Sequence, residues 1–387
     1  MKKGILITIL TTLVVSTVWV YVENKLPDNY IGNIKGQYDN SSVLNIFEYQ
    51  DETVLVLRSY ETTYDAWDDD DCVDDMLMIA ILDQENNLLE TIDIIETFTL
   101  DNDGNGIRSG EIVVESTQSE NFIYASIALY DERYIVEFDI ISRTYQIYNV
   151  EYHLKDIQYV DGELRGLTLL DNEDVTDIYL TKYLVSDLSV TSTKIGSMIT
   201  ESNYPLNRWS MSLYGNYVLI NGDINGGIYS YDVVSIYNIE TKEVSFIQDD
   251  EVYYYAFWEQ EGNIYYAALF EDNHNRIIYN IDGTEYDISN LDIENKETFG
   301  EVVSDTYINI STDDDFQNNR IRLYDVANEK EIVLEFDIRT YVSSMYESDE
   351  KLYLVVGNRQ GLLSQIVNGS SEQWIVVYEK ANLENIE

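Results

Sequence analysis

Basic residues are scarce in this chain: 23 Lys and Arg stand against 72 Asp and Glu, a formal charge of -49 over 387 residues. Such a surface repels a phosphate backbone, which excludes nucleic-acid binding through a basic footprint. A single cysteine, Cys72, excludes a disulfide framework and a zinc ribbon. Its neighbours Asp71 and Asp74 disfavour the thiolate, so the thiol is expected to be unreactive. The two histidines, His153 and His274, are far apart in sequence and offer no His-based nucleophile system. Helical periodicity is also missing, since hardly any stretch after Val43 places apolar residues at helical spacing. What is present is apolar surface: 45% of residues are hydrophobic and 34 are Tyr, enough to offset the entropy of ordering a globular body.

The one long apolar run lies at the start. Lys2 and Lys3 precede GILITILTTLVVSTVWVYV, residues 4 to 22, and Glu23 follows at once. At about 1.5 Å per residue the run is roughly 28 Å long, the thickness of a bilayer core. It is longer than the apolar region of a cleaved signal peptide and ends in Trp19, Val20, Tyr21 and Val22 instead of small residues. The expectation is an uncleaved transmembrane signal anchor over 1–22. The basic start and acidic remainder put the body outside a cell membrane as a single-pass protein, with 23–29 as tether and 30–387 as ectodomain.

The body reads as all-β. Short runs rich in Val, Ile, Tyr and Leu alternate with turns of Asn, Asp, Gly and Glu, and a strand–turn–strand phrase recurs. It appears as MLMIAILDQENNLLETIDI at 76, RYIVEFDIISRTYQIYNV at 133, VVSIYNIETKEVSFI at 233, RIIYNIDGTEYDI at 276 and IRLYDVANEKEIVLEFDI at 321. A weaker copy starts at Asp177 and a truncated one, WIVVYEKANLENIE, ends the chain. The repeat averages about 49 residues, within the range of one four-stranded propeller blade.

On this phrasing residues 30–387 resemble the seven-bladed β-propeller superfamily, without a subfamily signature: the single Trp67-Asp68 pair is not repeated. The resemblance implies seven four-stranded antiparallel blades. Because the last copy lacks its outermost strand and YIGNIKGQY at 30 to 38 is unassigned, the N-terminal strand is expected to complete the last blade and close the ring. Propellers host many unrelated functions, so the resemblance names none.

Sorting the connections by strand order puts tight turns such as ISRT, ETKE and ANEK at one face and longer acidic segments at the other. The acidic side includes ETTYDAWDDDDCVDD at 61, DNEDVTD at 171 and STDDDFQNN at 311, and long loops on a rigid scaffold are where binding resides. Asp68, Asp69, Asp70, Asp71, Asp313 and Asp314 are the candidate ligand-binding residues. DNDGNGIRSGE, 101 to 111, alternates hard oxygen ligands around a glycine and resembles the first half of an EF-hand calcium loop. Asp101, Asp103, Asn105, Ser109 and Glu111 are the candidate Ca2+ ligands. The departure at its end, where Ile112 takes the place of the final acid, leaves a plain turn as the alternative.

The function expected from these features is a membrane-anchored binding or interaction module, more a binder than an enzyme, taking an envelope protein, a glycan or a cationic ligand on its acidic face. Two alternatives stand beside it. One is a polysaccharide hydrolase or lyase with carboxylates in a central channel, although no pair among 72 acids is distinguished; the other is a structural subunit of an envelope complex.

Overall fold

The computed structural model describes residues 30–31, 40–63, 71–85, 87–97, 112–129, 132–172, 175–199, 211–224, 233–248, 252–260, 263–270, 276–281, 285–286, 304, 306–311, 318–326, 328–336, 340–358 and 373–383. The chain divides into two compact units, Met1–Ser42 with Glu85–Asn87 and Ile293–Glu387, and Val43–Gln84 with Leu88–Asp292. After the short strand β1 (Tyr30–Ile31), the second of these builds five antiparallel meanders of four strands in chain order. The first holds β2 (Asn40–Tyr49), β3 (Glu52–Thr63), β4 (Asp71–Leu82) and β5 (Leu88–Thr97). Next come β6 (Ile112–Gln118), β7 (Phe122–Leu129), β8 (Glu132–Asp139) and β9 (Thr144–Asn149). The third sheet is β10 (Lys155–Val160), β11 (Glu163–Asn172), β12 (Val175–Leu184) and β13 (Val190–Ile199). The fourth is β14 (Met211–Tyr214), β15 (Tyr217–Asn221), β16 (Val233–Asn238) and β17 (Val244–Gln248). The fifth is β18 (Val252–Gln260), β19 (Asn263–Phe270), β20 (Arg276–Asn280) and β21 (Glu285–Tyr286).

The other unit holds a sheet of β22 (Tyr307–Asn309), β23 (Arg320–Asp325) and β24 (Lys330–Glu335). Its second sheet joins β25 (Thr340–Glu347), β26 (Lys351–Asn358) and β27 (Gln373–Glu379) to β1, and a single turn of helix, α1 (Lys380–Leu383), follows. The N-terminal strand does take the outer place of the last sheet, with Tyr30 opposite Val376 and Ile31 opposite Ile375. The fold is all-β and of propeller type, but the expectation of seven four-stranded blades is corrected: six sheets have four strands, and β22–β24 has three among the described residues. Residues 287–303, before β22, lie outside the described residues.

The transmembrane signal anchor, and with it the single-pass membrane localisation and membrane partner, is also corrected. No helix among the described residues is long and apolar enough to cross a membrane, and 1–22 lies outside the described residues.

Apolar seams between successive sheets hold each unit. Val54, Val56, Ile79 and Ile81 of the first sheet pack with Ile123, Ile127, Val136 and Phe138 of the second. Tyr124 and Ile135 continue to Leu154, Leu164 and Tyr183 of the third, and Ile178, Leu180 and Met198 to Met211, Leu213 and Ile220 of the fourth. Leu219, Val234 and Ile236 then meet Phe257, Ile264 and Tyr266 of the fifth. In the other unit Ile321, Leu323 and Leu334 pack against Leu352, Leu354 and Val376. First strands of consecutive sheets lie side by side, β6 by β10, β10 by β14 and β14 by β18.

The repeated hairpin has a shared turn chemistry. At the end of the strand that opens each of three hairpins, β8, β16 and β23, Asp139, Asn238 and Asp325 each accept from backbone N–H groups two or three residues ahead: Ile141 and Ser142, Glu240 and Thr241, and Asn328. Four residues after each of these acceptors the chain turns left-handed, at Arg143, Lys242 and Glu329, just before the next strand, β9, β17 or β24.

Removing β1 leaves the outer edge of β27 unpaired. Deletion of 30–38 is therefore expected to lower the melting temperature by about 3 to 5 °C relative to a deletion of 23–29, with added aggregation. Differential scanning calorimetry of the two variants measures it, and equal melting curves would show that the β1 pairing contributes nothing.

Candidate functional site

A sheet of four antiparallel strands returns the chain to the end at which it started. The connection between second and third strands and the link to the next sheet therefore share one end, and the tight hairpin turns share the other. In the five-sheet unit Thr63 and Asp71, the facing ends of β3 and β4, and Thr97 and Ile112, the end of β5 and the start of β6, lie at the first of these ends. Asp68, Asp69, Asp70, Asp101, Asp103, Asn105, Ser109 and Glu111 themselves lie outside the described residues, as do Asp313 and Asp314 between β22 and β23. Asp71 opens β4 opposite Thr63, so pairing shortens the acidic connection to 64–70. The segment at 171 is tighter than its acidity suggests, since β11 and β12 pair as far as Asn172 opposite Val175. Tyr265 and Tyr266 are buried, which places them in the core. Among the described residues no group of three or more His, Cys, Asp or Glu is placed to hold a metal ion.

The structure brings together a different set, around β10. Its ladder with β11 bulges between Lys155 and Gln158, and within the bulge Asp156 has φ 49°. The bulge aims two side chains at β14: Asp156 Oδ2 accepts from Leu213 N (3.1 Å), and Gln158 Nε2 donates to Leu213 O (2.6 Å). Arg165, from β11, donates to Gln158 Oε1 through its Nε and a terminal nitrogen (3.2 and 3.0 Å), and to Gly215 O (2.6 Å). Side chains thus satisfy an edge strand's backbone where no strand pairs with it. Gly166 lets β11 approach: a Cβ there would lie 2.8 Å from Lys155 O and 2.9 Å from Leu154 Cβ.

Burial displaces the titratable groups of this clamp. It pushes Asp156 up to about 6, opposed by the Lys155 cation and the Leu213 N–H. Burial and, next, the Arg133 cation push His153 down to about 4. The His153 carbonyl accepts from Thr168 Oγ1 (3.0 Å), while its Nε2 is buried without a hydrogen-bond partner among the described residues. Burial likewise lowers Arg165. Nothing in the sequence distinguishes Asp156, Gln158 and Arg165, or gives His153 a role, because a bulge in HLKDIQYV has no composition signal.

The described ion pairs show where the bases go. Arg143 reaches from the second sheet to Glu52 (2.7 Å) and Glu90 (2.8 Å) of the first. Lys182 pairs with Glu163, Lys194 with Asp177, and Arg322 with Glu331 across neighbouring strands. Lys380 of α1 lies 2.9 Å from Glu347, whose other oxygen accepts from Thr306 N (2.5 Å).

No family model matches the chain, and no curated protein matches it. Among solved structures, an acylaminoacyl peptidase of Pyrococcus horikoshii is similar at 11% identity and TM-score 0.52, over 89% of this chain and 54% of that one. A mutant of Synechocystis apocarotenoid oxygenase is matched at 9% identity and TM-score 0.38 over 60% and 56% of the two chains. The cobalt-substituted form of the same oxygenase gives 9%, 0.39, 61% and 59%. The chain therefore spans little more than half the length of each. The peptidase likeness speaks to fold alone, and the weaker oxygenase likenesses carry no inference.

The two displaced groups predict opposite pH slopes. Asp156 is held above its unfolded value, so the folded state binds its proton more tightly; the stability it contributes is full below about 4 and is lost as pH rises through about 6. His153 is held below its unfolded value, so its contribution is full above about 6.5 and is lost as pH falls toward about 4. Asp156→Asn should therefore gain stability relative to the parent chain between pH 4 and 7, by about 1 to 3 kcal/mol, and His153→Gln should lose the acid-side decline. Urea unfolding of the three proteins at each pH tests this, and parallel pH curves would contradict it.

Proposed function

We propose that this protein is a binding module for a cationic protein or peptide, taken up by the acidic connections at the sheet end where Asp68–Asp71 emerge. One observation carries the reading. The described ion pairs of Arg143, Lys182, Lys194, Arg322 and Lys380 are internal, joining strands, sheets or the C-terminal helix. Lys155 and Arg165 are buried. Even if every base in the chain neutralised one acid, the formal charge of -49 would remain as uncompensated carboxylate. A surface charged this far beyond the needs of solubility steers and selects partners of opposite sign.

A lysine-rich octapeptide should bind with an affinity that falls about tenfold between 50 and 300 mM salt, as screening shortens the reach of exposed charges. Neutralising Asp68, Asp69, Asp70 and Asp71 to Asn should weaken binding about tenfold, since each exposed charge contributes a few tenths of a kcal/mol. Isothermal titration decides: a glutamate-rich octapeptide that binds equally well, or an unchanged affinity in the tetra-Asn variant, refutes the reading.

Calcium belongs to the same proposal as the ion that would order segment 101–111 among these carboxylates. Millimolar Ca2+ should raise the melting temperature at matched ionic strength, and Asp101→Ala with Asp103→Ala should abolish most of the gain. A melting curve identical to that in ionic-strength-matched sodium chloride would make the segment a plain turn.

A further inference from the structure

The outermost strand of the second sheet is unusual among the edges of the molecule. β9 reads TYQIYN, without a charge or a proline, and all of its residues except Tyr148 are exposed. Natural sheets protect such edges with charges, bulges or short strands. β5 carries Glu90, Asp93 and Glu96, β13 carries Lys194 and a register shift, and β24 carries Lys330, Glu331 and Glu335. β17 is also uncharged but presents one large exposed apolar side chain, Phe246. β9 presents two at alternate positions, Tyr145 and Ile147, and Ile141 lies exposed in the turn that leads into it.

Register shows which backbone groups are open. Val150 N donates to Arg133 O, so the hydrogen-bonded pairs along this ladder are 135 with 148, 137 with 146 and 139 with 144. The N–H and C=O groups of Tyr145, Ile147 and Asn149 therefore point away from β8, and no described strand pairs with that side. Tyr145 stands opposite Phe138 and Ile147 opposite Val136, both buried, so the two exposed side chains extend the apolar seam toward the first sheet. Arg143 ties this corner to Glu90, and the exposed Leu88 and Leu89 are the residues just before Glu90 in β5.

We infer that β9 is a docking edge that takes up an extended segment of a partner protein as an added strand. Three alternating backbone positions supply the hydrogen bonds, and Tyr145 and Ile147 receive apolar side chains spaced two residues apart. The partner strand is basic. Glu137 lies opposite Gln146 on the neighbouring strand, and a second copy of a chain carrying -49 would bring like charges together. The sign of the partner's charge rests on the binding reading above; strand addition rests on the edge geometry.

The test uses the full chain and an octapeptide of alternating Lys and Val, with the same peptide N-methylated at alternate residues so that one edge cannot hydrogen-bond. The plain peptide is expected to bind, and methylation to weaken it at least tenfold. Tyr145→Lys with Ile147→Lys, both at exposed positions, should weaken it at least tenfold, whereas Phe246→Lys should not. No binding of the plain peptide up to about 1 mM, equal binding of both peptides, or an unaffected double variant overturns the inference. Loss confined to the variant neutralised at Asp68–Asp71 overturns the docking edge and leaves the acidic-face reading standing. Binding that needs β9, beside an inert lysine-rich peptide, does the reverse. A concentration-dependent dimer in sedimentation that the double variant abolishes would give the edge to a second copy and overturn the choice of partner.

Discussion

Each sheet in this protein is too small to be stable alone, and everything else depends on how its apolar face is covered by the next. The seam residues are fully out of water: Val54, Val56 and Ile81 of the first sheet are 0% exposed, as are Leu167, Ile178 and Met198 of the third. Burying a side chain of this kind contributes about 1.5 to 3 kcal/mol, while an exposed ion pair contributes less than about 1. The seams therefore carry the fold. Internal polar ties such as Asp156 and Gln158 on Leu213 set which strand faces which.

Much of this was legible. Strand content followed from Val, Ile and Tyr runs with turn residues between them, and the hairpins found by phrasing are those whose turns share one mechanism. FDIISRT, YNIETKE and YDVANEK all place Asp or Asn where its side chain folds the backbone, with a left-handed residue four positions on. The unassigned N-terminal segment likewise pointed to β1 on β27. Less readable was the sheet β22–β24: a hairpin phrase marks two strands and does not say how many others pair with them, so counting repeats by turn spacing overstated the number of complete four-stranded sheets among the described residues. Hydropathy alone proposed a membrane span that no described helix supports.

The functional groups were harder to see because their environment comes from register and not from composition. Asp156 is one acid among 72, and only a bulge at φ 49° aims it at Leu213. His153 reads as an ordinary polar residue until packing removes its Nε2 from solvent. The absence of charge in TYQIYN was visible in the sequence, but its meaning depends on β9 being outermost, which only the sheet order gives. The acidic connections stood out at once, since charge is the one property that composition states directly.

The central claim is that the seams between sheets, and not the charged surface, hold the molecule together. Amide hydrogen exchange along the full chain tests it most directly. The account predicts that β7, β11 and β15, bonded on both edges and buried along the seams, exchange orders of magnitude more slowly than the outer strands β9, β13 and β17. It also predicts that this order is unchanged between low and high salt. Outer strands protected as well as the central ones, or protection that collapses as salt is raised, would contradict it.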